Sequence, residues 1–126
     1  ATVGDRCHPT SGRWRSSYDG MVTTDPADLQ IDHLVALADA WRSGAWRWDD
    51  ARRLAFANDV DDPEVLVAVS GSSNQSKSDS TPDEWLPPVE AERCPYATAW
   101  VAVKARWQLS ITPAEKAALV SVLSGC

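Results

Sequence analysis

Short apolar stretches and helical patterns follow one another along the first two thirds of the chain. The stretch from Leu29 to Leu34 predicts a strand, and the β-branched run from Val65 to Val69 predicts a second, buried strand. Gly71-Ser72-Ser73 ends that strand, and Asn74 opens a short helix that carries Lys77. The pattern therefore predicts two strands followed by a helix.

Helical patterns also lie between the two strands, and a turn signal precedes the first of them. A helix is expected near Ala38 to Ser43, and Asp49 is placed to cap another that ends near Asn58. Tyr18-Asp19-Gly20 is a turn signal inside the segment from Arg13 to Thr24, which predicts an N-terminal hairpin or an extended entry to the domain.

The last third predicts a loop and then two helices. The polar, proline-containing stretch from Ser78 to Pro88 reads as a loop. Tyr96 to Trp107 has apolar residues at helical spacing, and Thr112-Pro113-Ala114-Glu115 is a capping box that begins a helix reaching about Leu123. The expected fold class is α+β, in one domain over residues 1–126, with a C-terminal helical pair.

Length and composition fit a small globular domain. The 126 residues are 44% hydrophobic and 24% charged, and most of the seven tryptophans are expected in the core. There is no apolar run of 18 residues and no basic-then-apolar leader, so we expect a processed chain that crosses no membrane. A monomer is expected.

The net charge of −6 argues against binding phosphate through overall charge. Four arginines could form a local basic cluster, or could simply be solvated helix faces. These are Arg42, Arg47, Arg52 and Arg53.

Three cysteines without Cys-x-x-Cys spacing favour a structural disulfide over a metal site or a redox pair. A Cys94–Cys126 bridge would tie the terminus across the helical pair. Cys7 is then left over, as a free thiol, with a partner elsewhere, or in a different pairing. A zinc site of the three cysteines with His8 is a less favoured alternative.

Asp32 and His33 are the residues with the clearest candidate chemistry. Adjacent strand residues point to opposite faces, so one side chain would reach a metal ion while the other addresses the attacking water of a phosphodiester hydrolysis. Asn74 would return beside Asp32, and their oxygens suit Mg²⁺ or Mn²⁺. Lys77, one helical turn from Asn74, would meet a phosphate oxygen. Each residue taken alone also has a structural explanation, as a local hydrogen-bond partner, a helix cap or a solvated lysine.

The order of these motifs resembles the HNH (ββα-metal) nucleases, particularly their secreted bacterial extracellular branch. The central segments are Ile31-Asp32-His33-Leu34-Val35, Val67-Ala68-Val69-Ser70 and Ser73-Asn74-Gln75-Ser76-Lys77-Ser78-Asp79. The others are Tyr18-Asp19-Gly20, Ala38-Asp39-Ala40-Trp41, Ala57-Asn58-Asp59, Trp85-Leu86-Pro87-Pro88 and Trp100-Val101-Ala102-Val103-Lys104. They cover most of the chain.

The resemblance implies a ββα-metal core over about residues 29–80 and a secreted endonuclease acting on nucleic acid, with DNA of low sequence specificity the expected substrate. It makes His33 the general base, gives a single Mg²⁺ or Mn²⁺ to Asp32 and Asn74, and implies products with 5′-phosphate ends. Asn58 or Asp62 would fill the middle motif position, which steadies the loop between the strands.

Gln30, Ala36 and Ser78 depart from the family pattern, which usually has a second acid, a proline and a glycine at these positions. An upstream cysteine-bearing segment, present in relatives, would explain the unpaired Cys7. The competing hypotheses are a noncatalytic binding module with the same fold and a metal phosphodiesterase for small substrates.

Overall fold

The computed structural model describes residues 2–4 and 8–126, which form an α+β fold. The strands are β1 (Thr2–Val3), β2 (Pro9–Ser11), β3 (Trp14–Arg15), β4 (Val22–Thr23), β5 (Leu29–His33) and β6 (Leu66–Ser70). The α-helices are α1 (Leu37–Arg42), α2 (Asp50–Ala57), α3 (Gly71–Lys77), α4 (Arg93–Arg106) and α5 (Pro113–Ser124). Short 3₁₀ turns cover Pro26–Asp28, Ala45–Arg47 and Glu90–Glu92.

Each strand pairs antiparallel with one partner: β1 with β2, β3 with β4, and β5 with β6. The β3–β4 pair with its turn is the predicted N-terminal hairpin, which is confirmed. In the β5–β6 pair, Gln30 lies opposite Val69 and Asp32 lies opposite Val67. Because side chains alternate along a strand, Gln30 and Asp32 share one face of this pair and His33 lies on the other.

Helix α3 follows β6 without a loop, and its start corrects one prediction. The helix begins at Gly71, so Asn74 lies in its middle and does not open it. Ser70 ends the strand and also caps the helix, because its hydroxyl accepts a hydrogen bond from the Ser73 amide at 3.2 Å. Two strands and a helix therefore follow one another in space as they do in the sequence.

The predicted ends of α2 and the predicted start of α5 are confirmed, whereas α4 begins at Arg93, three residues before the predicted Tyr96. Asp49 caps α2 by accepting from the Arg52 amide, and Asn58 closes the same helix. Thr112 and Glu115 form the capping box of α5. Helices α4 and α5 pack together, and a disulfide between Cys94 and Cys126 joins the start of α4 to the end of the chain.

The disulfide decides part of the cysteine question. Cys94 and Cys126 are bonded to each other, so neither supplies a thiolate to a zinc site. The zinc alternative is therefore wrong for this pair. Cys7 lies outside the described residues.

The core gathers buried side chains from the β3–β4 turn, α2, β6 and α4. Trp100, Tyr18 and Phe56 are its largest buried apolar side chains, and Trp48, Trp85 and Trp107 pack against it. The expectation that most tryptophans serve the core therefore holds, but Trp41 and Trp46 leave about half of their surface in solvent. No helix in residues 2–4 and 8–126 is long and apolar enough to span a membrane.

Ser78, directly after α3, has a backbone φ of 51°. This left-handed conformation is unfavourable for a residue with a Cβ and easy for glycine. We expect Ser78→Gly to raise the free energy of unfolding by about 0.5–1 kcal/mol, measured by urea denaturation. Gln75→Gly, inside α3, should lower it by about 1 kcal/mol. Equal losses in the two variants would contradict this interpretation.

Candidate active site

A buried ion pair joins β5 to α3. The Lys77 side chain is fully buried, and its Nζ lies 2.9 Å from Oδ2 of Asp32 and donates to the His33 carbonyl oxygen at 3.1 Å. The Tyr18 hydroxyl, from the β3–β4 turn, donates to the same Asp32 oxygen at 2.7 Å. Strand, helix and hairpin turn therefore meet at one carboxylate.

Lys77 positions Asp32 in this arrangement. A buried ammonium needs a charged partner and further hydrogen bonds to remain charged, and both are present here. Burial, followed by the negative charge of Asp32, raises the pKa of Tyr18 far above its usual range, so the hydroxyl stays a neutral donor. A direct contact of Lys77 with a phosphate, as the sequence suggested, would require its ammonium to leave this cluster.

His33 faces away from this cluster, toward the end of α2. Its Nε2 lies 2.8 Å from the carbonyl oxygen of Ala57, and its ring stacks on Phe56 at a centroid distance of 6.3 Å. A carbonyl oxygen only accepts hydrogen bonds, so Nε2 carries the proton. In the neutral imidazole this leaves Nδ1 with its lone pair, as a base requires.

Asn58 closes the helix end that holds His33. Its backbone amide and its side-chain Nδ2 both donate to the Leu54 carbonyl oxygen, the latter at 3.0 Å. The last turn of α2 is thereby fixed, and with it the Ala57 carbonyl. Asn58 therefore acts on His33 through the last turn of α2.

Asp59 and Asp62 brace the loop that leads from α2 to β6. Oδ1 of Asp59 accepts from the amides of Asp61 and Asp62, and Oδ1 of Asp62 accepts from the Glu64 amide. Arg106 of α4 lies 3.1 Å from Asp62. Asn58 at the helix end and Asp62 in the loop both hold this part of the backbone, and which of them fills the middle motif position stays a prediction.

Asn74 lies over the same face of β5 as Asp32. Its Nδ2 donates to Oε1 of Gln30 at 2.8 Å, and Gln30 is two positions from Asp32 along the strand. Both contacts of Asp32 engage Oδ2, so Oδ1 of Asp32 and Oδ1 of Asn74 stay without a hydrogen-bond donor among the described residues. No group of three or more His, Cys, Asp or Glu side chains in that part of the chain is arranged for a metal ion.

The sequence reasoning missed the contribution of the Tyr18-Asp19 turn. Oδ2 of Asp19 accepts from the hydroxyls of Ser70 at 2.5 Å and Ser73 at 2.8 Å. The turn signal predicted a hairpin, but nothing local indicated that the turn would be fastened to the start of α3. With Tyr18 on Asp32, the hairpin is attached to the site at two points.

Acid should loosen this attachment. Burial opposes ionisation of Asp19, but hydrogen bonds from Ser70, Met21, Ser16 and Ser73 outweigh it and lower the pKa to about 2. The stabilisation is complete above the unfolded-chain value near 4 and is lost as pH falls through about 2. The free energy of unfolding of wild type should therefore drop between about pH 4 and pH 2 more steeply than that of Asp19→Asn.

Urea denaturation at a series of pH values measures this difference. Asp61→Asn, at an exposed aspartate, is the control and should keep the wild-type slope. Parallel pH profiles for wild type and Asp19→Asn would contradict the assignment.

The four arginines lie in one segment but are unequally engaged. Arg42 pairs with Asp79 at 3.1 Å and Arg53 with Asp50 at 2.6 Å. Arg52 donates to the Trp107 carbonyl, while the guanidinium of Arg47 lies 4.7 Å from the ring centroid of Trp46. Residues 41–53 hold these four arginines and two aspartates, so the segment is locally positive in an acidic chain.

Comparison with known proteins gives a family and one relative. The family model described as "GmrSD restriction endonucleases, C-terminal domain" matches residues 5–122. A protein of Arthroderma benhamiae named "Uncharacterized secreted protein" is 45% identical over 124 residues. The alignment covers 98% of the present chain and 60% of that relative. No solved structure is significantly similar to the chain.

Proposed function

Because the chain belongs to the family of GmrSD restriction endonuclease C-terminal domains, we propose that it is an HNH-type endonuclease. It hydrolyses phosphodiester bonds of nucleic acid, with DNA of low sequence specificity as substrate and 5′-phosphate products. The chain spans 60% of the length of its relative, so this proposal concerns the chemistry of this domain.

The geometry of His33 carries the proposal. Its Nε2 is committed to the Ala57 carbonyl, and Nδ1 is left to accept a proton. A general base needs one nitrogen to hold the ring in place and the other to accept a proton from water. Phe56 stacks on the ring and limits its rotation. His33 thus removes the proton from the water that attacks phosphorus.

The residues beside β5 fit a single Mg²⁺ or Mn²⁺. Oδ1 of Asp32 and Oδ1 of Asn74 are hard oxygen donors on one face, and Mg²⁺ is commonly held by one or two protein oxygens with water completing its shell. When bound, the ion would stabilise negative charge on the phosphate and the leaving oxygen. Gln30, in place of a second acid, orients the Asn74 amide so that its oxygen is free.

Lys77 and Asn58 support these groups without touching the substrate. Lys77 and Tyr18 fix Oδ2 of Asp32, which directs the other carboxylate oxygen. Asn58 fixes the last turn of α2, which presents the Ala57 carbonyl to His33. We assign them as positioning residues.

We also propose that the protein acts outside the cell, as a monomer. The relative is named as secreted, and a Cys94–Cys126 disulfide persists most readily in an oxidising compartment.

Cleavage of supercoiled plasmid at low salt, with Mg²⁺, Mn²⁺ or EDTA, tests the proposal. We expect nicked and then linear DNA with either ion, no product in EDTA, and 5′ ends that accept label from a kinase only after phosphatase treatment. Asp32→Asn should lose most of the activity. Asp28→Asn, at an exposed aspartate just before the same strand, should keep it. Cleavage that resists EDTA would refute the metal assignment.

The Lys77–Asp32 ion pair favours one second candidate, a noncatalytic nucleic-acid-binding module. A carboxylate already paired with a buried ammonium has a structural reason to be present. Strand binding without cleavage under any ion condition would support this candidate. Hydrolysis of a small chromogenic phosphodiester without any cleavage of the plasmid would instead indicate a small-substrate phosphodiesterase.

A further inference from the structure

Trp41, which is half exposed, lines a small apolar cavity beside His33. The cavity has a volume of about 220 Å³ and is lined by Leu37, Trp41, Trp48, Arg53, Phe56 and Ala57 among others. Phe56 stacks on the His33 ring, and the Ala57 carbonyl holds His33 Nε2. Phe56 and Ala57 therefore line the cavity and also contact the candidate base.

The lining suits a flat, apolar ring. Its one cation, Arg53, is already paired with Asp50 at 2.6 Å. The Arg53 guanidinium lies 5.5 Å from the ring centroid of Trp41 and donates to the Trp48 carbonyl at 2.5 Å, which holds it in place. The side chain of Trp41 is 53% exposed, although aromatic rings are expensive to leave in water. Ligands of drug size usually fill about 300–1,000 Å³, so this cavity suits a single ring system.

The charge around the cavity favours a strand of nucleic acid as the source of that ring. Residues 41–53 carry more positive than negative charge, although the whole chain carries −6. Aromatic side chains with neighbouring arginines are the usual platforms for unpaired bases, because every base has a flat face and every nucleotide a phosphate.

We propose that the Trp41 cavity is a base-stacking subsite that receives one unstacked nucleobase of the strand whose phosphate faces His33. This inference rests on the proposed nuclease function and adds a substrate class to it, single-stranded nucleic acid or locally opened duplex. A base paired within a regular duplex is stacked on both sides and does not enter the cavity.

Trp46 is a matched control for Trp41. It is 50% exposed, the Arg47 guanidinium lies over its ring, and it does not line this cavity. Fluorescence anisotropy in EDTA, where no strand is cut, compares binding of a labelled oligothymidylate with that of an abasic strand of equal length. Wild type should bind the oligothymidylate roughly 5- to 150-fold more tightly, as about 1–3 kcal/mol per stacked base implies. Trp41→Ala should remove this preference, Trp41→Phe should keep part of it, and Trp46→Ala should keep it whole.

Equal binding of the two strands by wild type, or an equal loss in Trp41→Ala and Trp46→Ala, would overturn the subsite. Trp41-dependent binding to anionic lipid vesicles without any base preference would also overturn it, and would assign the surface to a membrane. The plasmid assay separates these outcomes from failure of the proposed function. Cleavage with no base preference refutes the subsite alone, whereas a base preference without cleavage refutes the nuclease and leaves a stacking module.

Discussion

His33→Ala should reduce the rate of plasmid cleavage by roughly 10²–10⁴-fold, the usual contribution of a positioned general base. The reason is that Nε2 donates a hydrogen bond to the Ala57 carbonyl oxygen, which leaves Nδ1 to accept the proton. Because His33 lies on the opposite face of β5 from Asp32, the loss should not alter metal affinity. Cleavage assays and Mn²⁺ titration measure the two effects separately.

Two further variants separate chemistry from folding. His33→Ala leaves the Ala57 carbonyl without its donor, which costs about 1–3 kcal/mol if that oxygen stays buried. His33→Gln keeps a donor but supplies no base, so it should be more stable than His33→Ala and equally inactive. His8→Ala, at the other histidine of the chain, should cleave at the wild-type rate. Wild-type cleavage by His33→Gln would remove His33 from the mechanism.

Lys104→Met should lower the free energy of unfolding by about 3–5 kcal/mol, the largest stability effect we expect. The substitution leaves buried carboxylates without their cationic partner. Lys104 is 2% exposed, and its Nζ lies 2.7 Å from Asp39 and 3.0 Å from Glu115. It also donates to the Ser110 carbonyl at 2.8 Å. One ammonium thus joins helices α1, α4 and α5.

A second substitution separates the effect of charge from the effect of packing. Methionine fills much of the lysine volume, so the unpaired carboxylates should account for most of the loss of unfolding free energy. Removing the charge of one carboxylate should relieve part of the penalty, so Lys104→Met should cost less in an Asp39→Asn background than in wild type. Lys116→Met, on the exposed side of α5, should change the free energy of unfolding by less than about 0.5 kcal/mol. An equal loss in the two backgrounds would mean that Lys104 matters for its shape.

Local chemistry accounts for the parts of the fold that the sequence predicted well. Thr112 and Asp49 mark helix starts through hydrogen bonds to amides three residues away, and the β-branched run before Ser70 marks a strand. The sequence predicts the start of α3 three residues late, because Gly71-Ser72-Ser73 has the composition of a loop. The capping hydroxyl of Ser70 outweighs that composition.

Contacts between residues far apart in the sequence account for the parts that could not be predicted. The residue types at the site followed from the motif, but their orientations did not. His33 finds its partner at Ala57, and Lys77 is drawn inward by Asp32 and Tyr18 across three elements. A lysine one turn from Asn74 gives no sign in the sequence of facing the interior. The sequence does not show the exposure of Trp41 either, because Leu37, Ala40 and Trp41 have the spacing of a helix face that packs on the core.

The buried lysines of this protein can report local opening of the fold. The chain has three lysines, of which Lys77 and Lys104 are buried in ion pairs and Lys116 is exposed. An amine-acylating reagent should modify Lys116 in the native state, but Lys77 only when α3 lifts from β5, and Lys104 only when the three helices part. The mass and position of each adduct would then record, at single residues, which of the two clusters opens first and how often.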